Sequence, residues 1–135
     1  MSGGKKILVL ENEPITQSLL KAILRKEGFQ VTITASYDEA ERAWQRETFD
    51  LVIADYYLEG ALTGADFVGH MRKVQGANRF PAIALSIADE GENQDAIDQA
   101  GFDAFLPKPI DVRVLTGTIA KLLSSSPEMD GGEIM

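Results

Sequence analysis

Four short apolar runs, each ended by polar or charged residues, constrain the fold of this chain more than any other feature. The clearest run covers residues 51–54 and ends at Asp55. Such a run is typical of a central strand in a parallel sheet, which is buried on both faces and emerges at its carboxyl edge. The other runs are residues 6–10, 81–85 and 104–106, followed by Glu11 and Asn12, by Ser86, and by Lys108. In a parallel sheet these ends lie together, at the edge where open α/β sheets bind ligands.

Strand-like and helix-like segments alternate five times from Lys5 onward. This alternation indicates right-handed βαβ units in a parallel sheet. We therefore predict an α/β fold, a doubly wound, five-stranded parallel sheet with five helices, in one domain spanning residues 5–124. The remaining polar and Gly-rich residues, 125–135, are expected to form a disordered tail or a linker cut short.

Helix boundaries and buried faces follow from capping residues and apolar spacing. The first helix is expected to begin near Pro14 and to bury one apolar face. Ser36 and Glu39 form a capping-box pair that starts the second helix. A fourth helix over residues 92–100 has few apolar anchors, and a fifth begins near Asp111. The faces predicted to be buried are Ile15, Leu19, Ala22 and Ile23 in the first helix, and Phe67, Val68, Met71 and Val74 in the third.

Composition excludes several classes of function. The chain has 135 residues, which suits one domain and leaves no room for a second folded module. Its net charge of -8 disfavours direct nucleic-acid binding, which requires clustered Lys and Arg. The absence of cysteine excludes disulfides and thiolate metal sites. The first apolar stretch is too short for a signal peptide or a membrane span, so we predict a cytoplasmic protein with no membrane partner.

The set of strand-end residues resembles the receiver domain of bacterial two-component response regulators, over about residues 5–124. The residues that carry the resemblance are Glu11 and Asn12, Asp55, Ser86, and Lys108 followed by Pro109, in this order at the ends of strands 1, 3, 4 and 5. The resemblance implies a flavodoxin-like topology and a phosphoryl group accepted on Asp55 from a histidine kinase or a histidine phosphotransfer protein. It also implies a signalling module rather than an enzyme, apart from self-catalysed phosphoryl transfer and dephosphorylation.

The resemblance also assigns roles to the other residues at this edge. Mg²⁺ would be held by Glu11, Asn12, Asp55 and the backbone carbonyl of Tyr57, because this hard cation prefers oxygen ligands. Lys108 would bind a phosphoryl oxygen, and the Lys108–Pro109 bond is expected to be cis. Ser86 takes the place of the switch hydroxyl and Phe105 that of the switch aromatic residue. A downstream protein would read the surface formed by predicted helix 4, strand 5 and predicted helix 5, and dimerisation through the two helices stays open.

Three positions depart from the family pattern. Receiver domains commonly have two adjacent acids after the first strand, whereas this chain has the neutral Asn12 after Glu11. We therefore predict weak Mg²⁺ binding, since one charge that faces the metal is missing. Tyr57 and Ala88 lie two residues beyond Asp55 and Ser86, at positions that modulate the attack of water on the acyl phosphate. A bulky Tyr57 and a small Ala88 predict slow loss of the phosphoryl group.

Three other functions would use parts of the same sequence. A pseudo-receiver that binds proteins without phosphorylation would follow if Asn12 abolished metal binding, but the joint presence of Asp55, Ser86 and Lys108 argues against it. A small hydrolase with an aspartyl-phosphate intermediate would need a second Asp where this chain has Tyr57. A flavin binder would need a Gly-rich loop after the first strand, where this chain is acidic. His70, the single histidine, is predicted to be a surface residue.

Overall fold

The chain forms a five-stranded, all-parallel sheet with strand order β2-β1-β3-β4-β5. A computed structural model describes residues 4–56, 64–75, 80–86 and 101–124. The strands are β1 (Lys6–Leu10), β2 (Gln30–Thr34), β3 (Leu51–Asp55), β4 (Ala82–Ser86) and β5 (Ala104–Pro107). The helices of the described ranges are α1 (Pro14–Lys26), α2 (Tyr37–Arg46), α3 (Gly64–Gln75) and α4 (Val112–Ser124). The α/β, doubly wound class predicted from the sequence is confirmed.

Helix α4 corresponds to the fifth helix predicted from the sequence. The predicted fourth helix, over residues 92–100, and the predicted tail lie outside the described residues. No helix in the described ranges is long and apolar enough to cross a membrane.

The three central strands carry the core. All residues of β3 and β4, and all of β1 after Lys6, are buried. One apolar cluster joins the sheet to α1 and α4 through residues such as Leu20, Leu24 and Leu115. A second joins it to α2 and α3 through Ala40, Phe67 and other side chains. Helices thus cover both faces, which is why the central strands read as continuous apolar runs.

The predicted buried face of α1 was confirmed for Ile23 and was wrong for Ile15, Leu19 and Ala22. Ile15 and Leu19 are 78% and 41% exposed. The buried side chains of this helix are Thr16, Leu20, Ile23 and Leu24. Both sets fit helical spacing, because the sequence of α1 contains two overlapping apolar stripes, and contact with the sheet selects the second. In α3 the prediction was confirmed for Phe67, Val68 and Met71 but was wrong for Val74, which is 61% exposed.

Local signals set the helix ends as expected. Pro14 is the first residue of α1, and Gly28, with φ of +93°, follows its end in a conformation that favours glycine. The Ser36 hydroxyl accepts a hydrogen bond from the Glu39 N–H, and the Glu39 carboxylate accepts one from the Ala35 N–H. These two bonds start α2, since each satisfies a backbone donor that the helix leaves free.

Candidate functional site

The pairing of β1 with β3 places Glu11 next to Asp55. Leu10 is in register with Ala54, so the residues that follow on the two strands meet at the carboxyl edge. Glu11 is fully buried and Asp55 is 7% exposed. Two carboxylates thus share one nearly dry position, where the charge of Glu11 disfavours the charged form of Asp55.

Lys108 reaches the same position from β5. Ser86 is in register with Pro107, and the Lys108 N–H donates a hydrogen bond of 3.0 Å to the Ser86 carbonyl. The peptide bond between Lys108 and Pro109 is cis, as the resemblance implied. The backbone of Lys108 is therefore held against the end of β4, and its side chain enters the site from there.

The Lys108 ammonium bridges the two carboxylates. Its Nζ donates a hydrogen bond of 3.0 Å to Asp55 Oδ2 and lies 2.9 Å from Glu11 Oε1. The Lys108 side chain is 14% exposed. Lys108 is therefore shielded from solvent, and its charge acts on Asp55 and Glu11 more strongly than a surface lysine would.

The surroundings of this cluster raise the pKa of both Asp55 and Lys108, which favours the neutral acid and the charged base. Burial, the largest effect, and the Glu11 charge raise the pKa of Asp55 to about 6, although the hydrogen bond from Lys108 opposes this rise. Burial disfavours the Lys108 ammonium, but its contacts with Glu11 and Asp55 outweigh burial and raise the pKa of Lys108. One ammonium group therefore does not fully neutralise two carboxylates, and the site favours a further positive charge.

Glu11 has one satisfied and one poorly satisfied oxygen. Its Oε2 accepts a hydrogen bond of 2.9 Å from the Glu13 N–H. Its Oε1 makes the ion pair with Lys108 but accepts no well-directed hydrogen bond. A buried carboxylate oxygen of this kind is a suitable ligand for a hard cation such as Mg²⁺. The residues at this edge therefore fit the metal that the sequence predicted.

Few acidic side chains surround this edge within the part of the chain that the structure describes. Within residues 4–56, 64–75, 80–86 and 101–124 there is no group of three or more His, Cys, Asp or Glu side chains that could hold a metal ion. Asn12, which follows Glu11, is half-buried and carries no charge. Tyr57 and Ala88, the other predicted site positions, lie outside the described residues.

Ser86 and Phe105 lie close to this cluster in the sheet. Ser86 ends β4 and is 1% exposed, one residue beyond the Leu85 that is in register with Asp55. Phe105 is in register with Ala84 and is half-buried, in an apolar cluster that includes Tyr56. The structure thus places Ser86 on β4, next to the strand of Asp55, and Phe105 one strand further on, on β5.

Gly64 contributes to the site through a close backbone contact that the sequence does not indicate. It begins α3, and a Cβ at this position would lie 2.0 Å from the Asp55 carbonyl oxygen. Such a contact is impossible for a backbone atom that cannot move aside. The helix can therefore start directly against the Asp55 backbone only because residue 64 is glycine. The glycine-containing loop after Asp55 was visible in the sequence, but this close approach was not.

His70 lies away from the cluster, as predicted. Its side chain is 45% exposed, and its Nε2 lies 3.9 Å from Glu41 Oε2 on the neighbouring helix. It takes no part in the carboxylate site.

A buried acid at the end of a central parallel strand, with a second acid and a lysine held against it, defines an α/β domain with an anionic site at its carboxyl edge. The response regulator receiver domain family matches residues 7–120. The chain belongs to this family, whose members are signalling modules of two-component systems and interact with histidine kinases and downstream effectors.

Known proteins of this family resemble the chain along most of its length. An uncharacterised 14.6 kDa protein of Leptolyngbya boryana is 32% identical, over 78% of this chain and 79% of that protein. The sensory/regulatory protein RpfC of Xanthomonas campestris pv. campestris is 29% identical over 92% of this chain, which corresponds to 17% of RpfC.

Solved structures show the same fold. The receiver domain of the sensor histidine kinase PA1611 of Pseudomonas aeruginosa PAO1 has a TM-score of 0.81 and 29% identity, over 90% of this chain and 99% of that domain. That structure has a magnesium ion coordinated in its active site cleft. The fold class and the family predicted from the sequence are therefore confirmed.

Proposed function

We propose that this receiver domain accepts a phosphoryl group on Asp55 from a phosphohistidine of a histidine kinase or a histidine phosphotransfer protein. The observation that carries the proposal is the Lys108 ammonium, held 3.0 Å from Asp55 and 2.9 Å from Glu11 at one nearly buried position. A lysine that only stabilises the fold would need one carboxylate partner, whereas Lys108 has two. A phosphoryl site needs a carboxylate nucleophile and a fixed cation beside it.

The transfer exchanges one bond to phosphorus for another. An Asp55 carboxylate oxygen attacks phosphorus while the phosphorus–nitrogen bond of the donor breaks, and the bonding electron pair stays on the imidazole nitrogen. A carboxylate is a weak nucleophile, so the site contributes alignment and neutralisation of charge. Lys108 pairs with a phosphoryl oxygen as the Asp55 charge is used in the new bond. Its compact ammonium suits this role as a point charge.

Glu11, Asn12, Asp55 and the backbone carbonyl of Tyr57 would hold Mg²⁺. When bound, the ion neutralises the charge of the carboxylate and phosphoryl oxygens together. Asn12 supplies an oxygen but no charge, and we therefore expect weaker Mg²⁺ binding than in a receiver domain with two adjacent acids. The magnesium in the cleft of the PA1611 receiver domain supports the choice of metal.

The exposed apolar stripe of α1 is the surface we assign to the phosphodonor. A donor histidine must approach the carboxyl edge, and Ile15 is the second residue of the helix that begins there. Ile15 and Leu19 are large apolar side chains that contact solvent rather than the core. A partner that covers this end of α1 would bury both of them while its histidine reaches Asp55.

The output would be a population shift that starts at Ser86 and Phe105. Ser86 would donate a hydrogen bond to the phosphoryl group, and Phe105 would then pack further inward. Since phenylalanine has no hydroxyl, this switch is read out through packing alone. A downstream protein would bind the surface of β5, α4 and the predicted helix at residues 92–100. The same two helices are the proposed contact of a homodimer, and cytoplasmic localisation stays a prediction.

Loss of the phosphoryl group is expected to be slow and self-catalysed. Tyr57 would shield the acyl phosphate and Ala88 has no polar group to orient water. Replacing Tyr57 by Asn should therefore shorten the phosphoryl half-life, measured from the decay of the labelled mass. An equal or longer half-life in Tyr57→Asn would contradict this assignment.

The decisive experiment is intact mass after incubation with Mg²⁺ and a small acyl-phosphate donor. The parent chain should gain one phosphoryl group and Asp55→Ala should gain none. Asp50→Ala is the matched control, because Asp50 is a carboxylate just before the same strand that instead accepts a hydrogen bond from the Lys6 N–H. Asn12→Asp should be labelled at lower Mg²⁺ than the parent, since it restores the missing acid. Equal Mg²⁺ dependence of both chains would refute the weak-metal assignment.

Asn12 also favours a second candidate, a pseudo-receiver that binds proteins without phosphorylation. The absence of a three-acid cluster among the described residues is the observation behind it. The same experiment separates the two candidates. No adduct on the parent with a clear adduct on Asn12→Asp would establish the pseudo-receiver and remove the proposed phosphoacceptor role.

A further inference from the structure

Arg72 forms a second ionic centre at the opposite edge of the sheet. It lies in the last turn of α3, the helix that starts against Asp55, and its side chain is 15% exposed. Its guanidinium stacks over the Phe80 ring at 4.2 Å from the ring centroid. An arginine placed in this way is no solvated surface group, and its contacts need an explanation.

The guanidinium ties together the starts of β4 and β5. Arg72 Nε and Nη2 donate to the Gly101 carbonyl at 3.2 and 2.5 Å, and Nη1 donates to the Phe80 carbonyl. Nη2 also pairs with Asp103 Oδ2 at 3.2 Å. Phe80 precedes β4, and Gly101 and Asp103 precede β5. A planar fork of donors can hold three such acceptors at fixed angles, whereas a lysine ammonium cannot.

Asp103 links the Arg72 contact to the alignment of β5 with β4. The carboxylate oxygen that binds Arg72 also accepts the Ala82 N–H at 2.8 Å, and the Asp103 N–H donates to the Ala82 carbonyl at 2.8 Å. The next residues, Ile83 and Ala104, are the first pair of the β4–β5 register. The position of β5 along β4 is therefore fixed where Arg72 acts.

Strand β5 should be sensitive to this anchor, because among the described strands it pairs with β4 alone. It is an edge strand of four residues, none of them fully buried. Its last residue is Pro107, which has no N–H to donate. Lys108 follows directly, so a shift of the strand start moves the ammonium relative to Asp55. A displacement of about 1 Å at reacting groups can lower a rate by about a hundredfold.

We propose that Arg72 is a positioning residue, which fixes the start of β5 and thereby sets where Lys108 meets Asp55 and Glu11. The proposal rests on the proposed function only for its effect on phosphorylation. The placement of β5 itself can be measured without any phosphoryl donor.

The first test is amide hydrogen exchange of the whole chain, comparing the parent with Arg72→Lys and Arg72→Met. The reporter is the Lys108 N–H, at the far end of β5 from Arg72, and the reference is the Glu11 N–H, which donates to the Thr34 carbonyl between β1 and β2. We expect Lys108 exchange to accelerate about tenfold more than Glu11 exchange. Equal acceleration of both amides would reduce Arg72 to a contributor to global stability and overturn the proposal.

The second test is a double-mutant cycle on the rate of labelling by the acyl-phosphate donor. Arg72→Lys should lower the rate about tenfold in the parent and less than twofold in a Lys108→Met background, because Arg72 acts through Lys108. Equal losses in both backgrounds would overturn the proposal. Arg42→Lys, an exposed arginine of α2, is the control and should change neither readout.

Failure of the two proposals is distinguishable. If the parent chain takes no phosphoryl group, the proposed function fails, and the exchange experiment still decides the role of Arg72. Selective acceleration at Lys108 then supports the positioning of β5, and unselective acceleration rejects it. Arg72→Lys retains the charge, so it keeps the test available if Arg72→Met does not fold.

Discussion

The two edges of the sheet use ion pairs in opposite ways. At the amino edge, within the described part of the chain, Arg72 pairs with the Asp103 carboxylate and donates to the backbone carbonyls of Phe80 and Gly101. At the carboxyl edge Lys108 is shared by two carboxylates, and burial raises the pKa of Asp55 to about 6. The amino edge is therefore satisfied and should stabilise the fold. The carboxyl edge holds excess negative charge in a nearly dry place, which costs stability and favours the binding of a cation.

Removing the guanidinium should show the largest effect. We expect Arg72→Met to lower the free energy of unfolding by about 3 kcal/mol, because the Asp103 carboxylate loses its ion pair with the guanidinium and two backbone carbonyls lose a hydrogen bond. Denaturant unfolding can be followed through Trp44, the single tryptophan, whose ring centroid lies 4.8 Å from that of Phe80. A loss below about 0.5 kcal/mol, the size expected for a surface residue, would contradict a satisfied and stabilising amino edge.

Two glycines of α3 test how closely the carboxyl edge is packed. Gly64→Ala should cost about 2 kcal/mol or more, because the methyl group meets the Asp55 carbonyl oxygen and either the helix or Asp55 must move. Gly69→Ala is the matched control. A Cβ at Gly69 meets nothing within 4 Å, so the same substitution should stabilise by about 0.5–1 kcal/mol through helix propensity.

Chemical denaturation of the two variants measures this difference in sign. Two substitutions of equal effect would show that the backbone at Gly64 relaxes freely and that Asp55 is not held by the start of α3. Gly64→Ala should also lower the labelling of Asp55, whereas Gly69→Ala should leave it unchanged.

The sequence predicted the carboxyl edge far better than the amino edge. Asp55 and Lys108 stand next to apolar runs, and parallel pairing brings the ends of such runs together whatever the loops do. The contacts of Arg72 arise from three segments that have no common pattern: the end of α3, the residues just before β4 and the turn before β5. No periodicity or capping signal connects them, so only the folded chain shows that they meet.

The buried face of α1 failed for a different reason. Apolar spacing alone cannot choose between two overlapping stripes, and the stripe that faces the sheet contains the polar Thr16. Its hydroxyl donates a hydrogen bond to the Glu13 carboxylate, which satisfies it in the buried position. A polar residue with a local partner therefore occupied a place that the sequence pattern gave to Ile15.

Neutralising Asp55 should stabilise the protein, in contrast to the loss of Arg72. The pKa of Asp55 is raised from 3.8 to about 6 in the folded chain, so the folded state binds the proton more tightly than the unfolded state. The free energy of unfolding should therefore fall as the pH rises from about 4 to 6. Asp55→Asn removes this loss, and above pH 6 it should be more stable than the parent by on the order of 2 kcal/mol.

The pH profile is the check on this prediction. Unfolding free energies of parent and Asp55→Asn, measured without divalent cations, should converge near pH 4 and separate up to pH 6. Addition of Mg²⁺ should stabilise the parent alone, because it supplies the charge that the site lacks. A constant difference across this range would mean that Asp55 ionises with its ordinary pKa and that the carboxyl edge is not strained.

Replacing Ile15 by Ser should have the smallest effect on stability. Its effect on function should be the most specific. This side chain is 78% exposed near the carboxyl edge, and Val74, at 61%, is its counterpart near the amino edge. Ile15→Ser and Val74→Ser should each change the free energy of unfolding by less than about 1 kcal/mol, since neither residue packs in the core. Only Ile15→Ser should slow phosphoryl transfer from a phosphohistidine protein, because Ile15, unlike Val74, lies on the surface that we assign to that donor.

Labelling by the small acyl-phosphate donor separates docking from chemistry. It needs no protein contact, so it should proceed equally in the parent, Ile15→Ser and Val74→Ser. Slower labelling of Ile15→Ser by the small donor would show that the substitution disturbs the carboxylates themselves. Equal transfer from the phosphohistidine protein to all three chains would move the docking surface away from α1, and the exposed stripe would then have no role at the carboxyl edge.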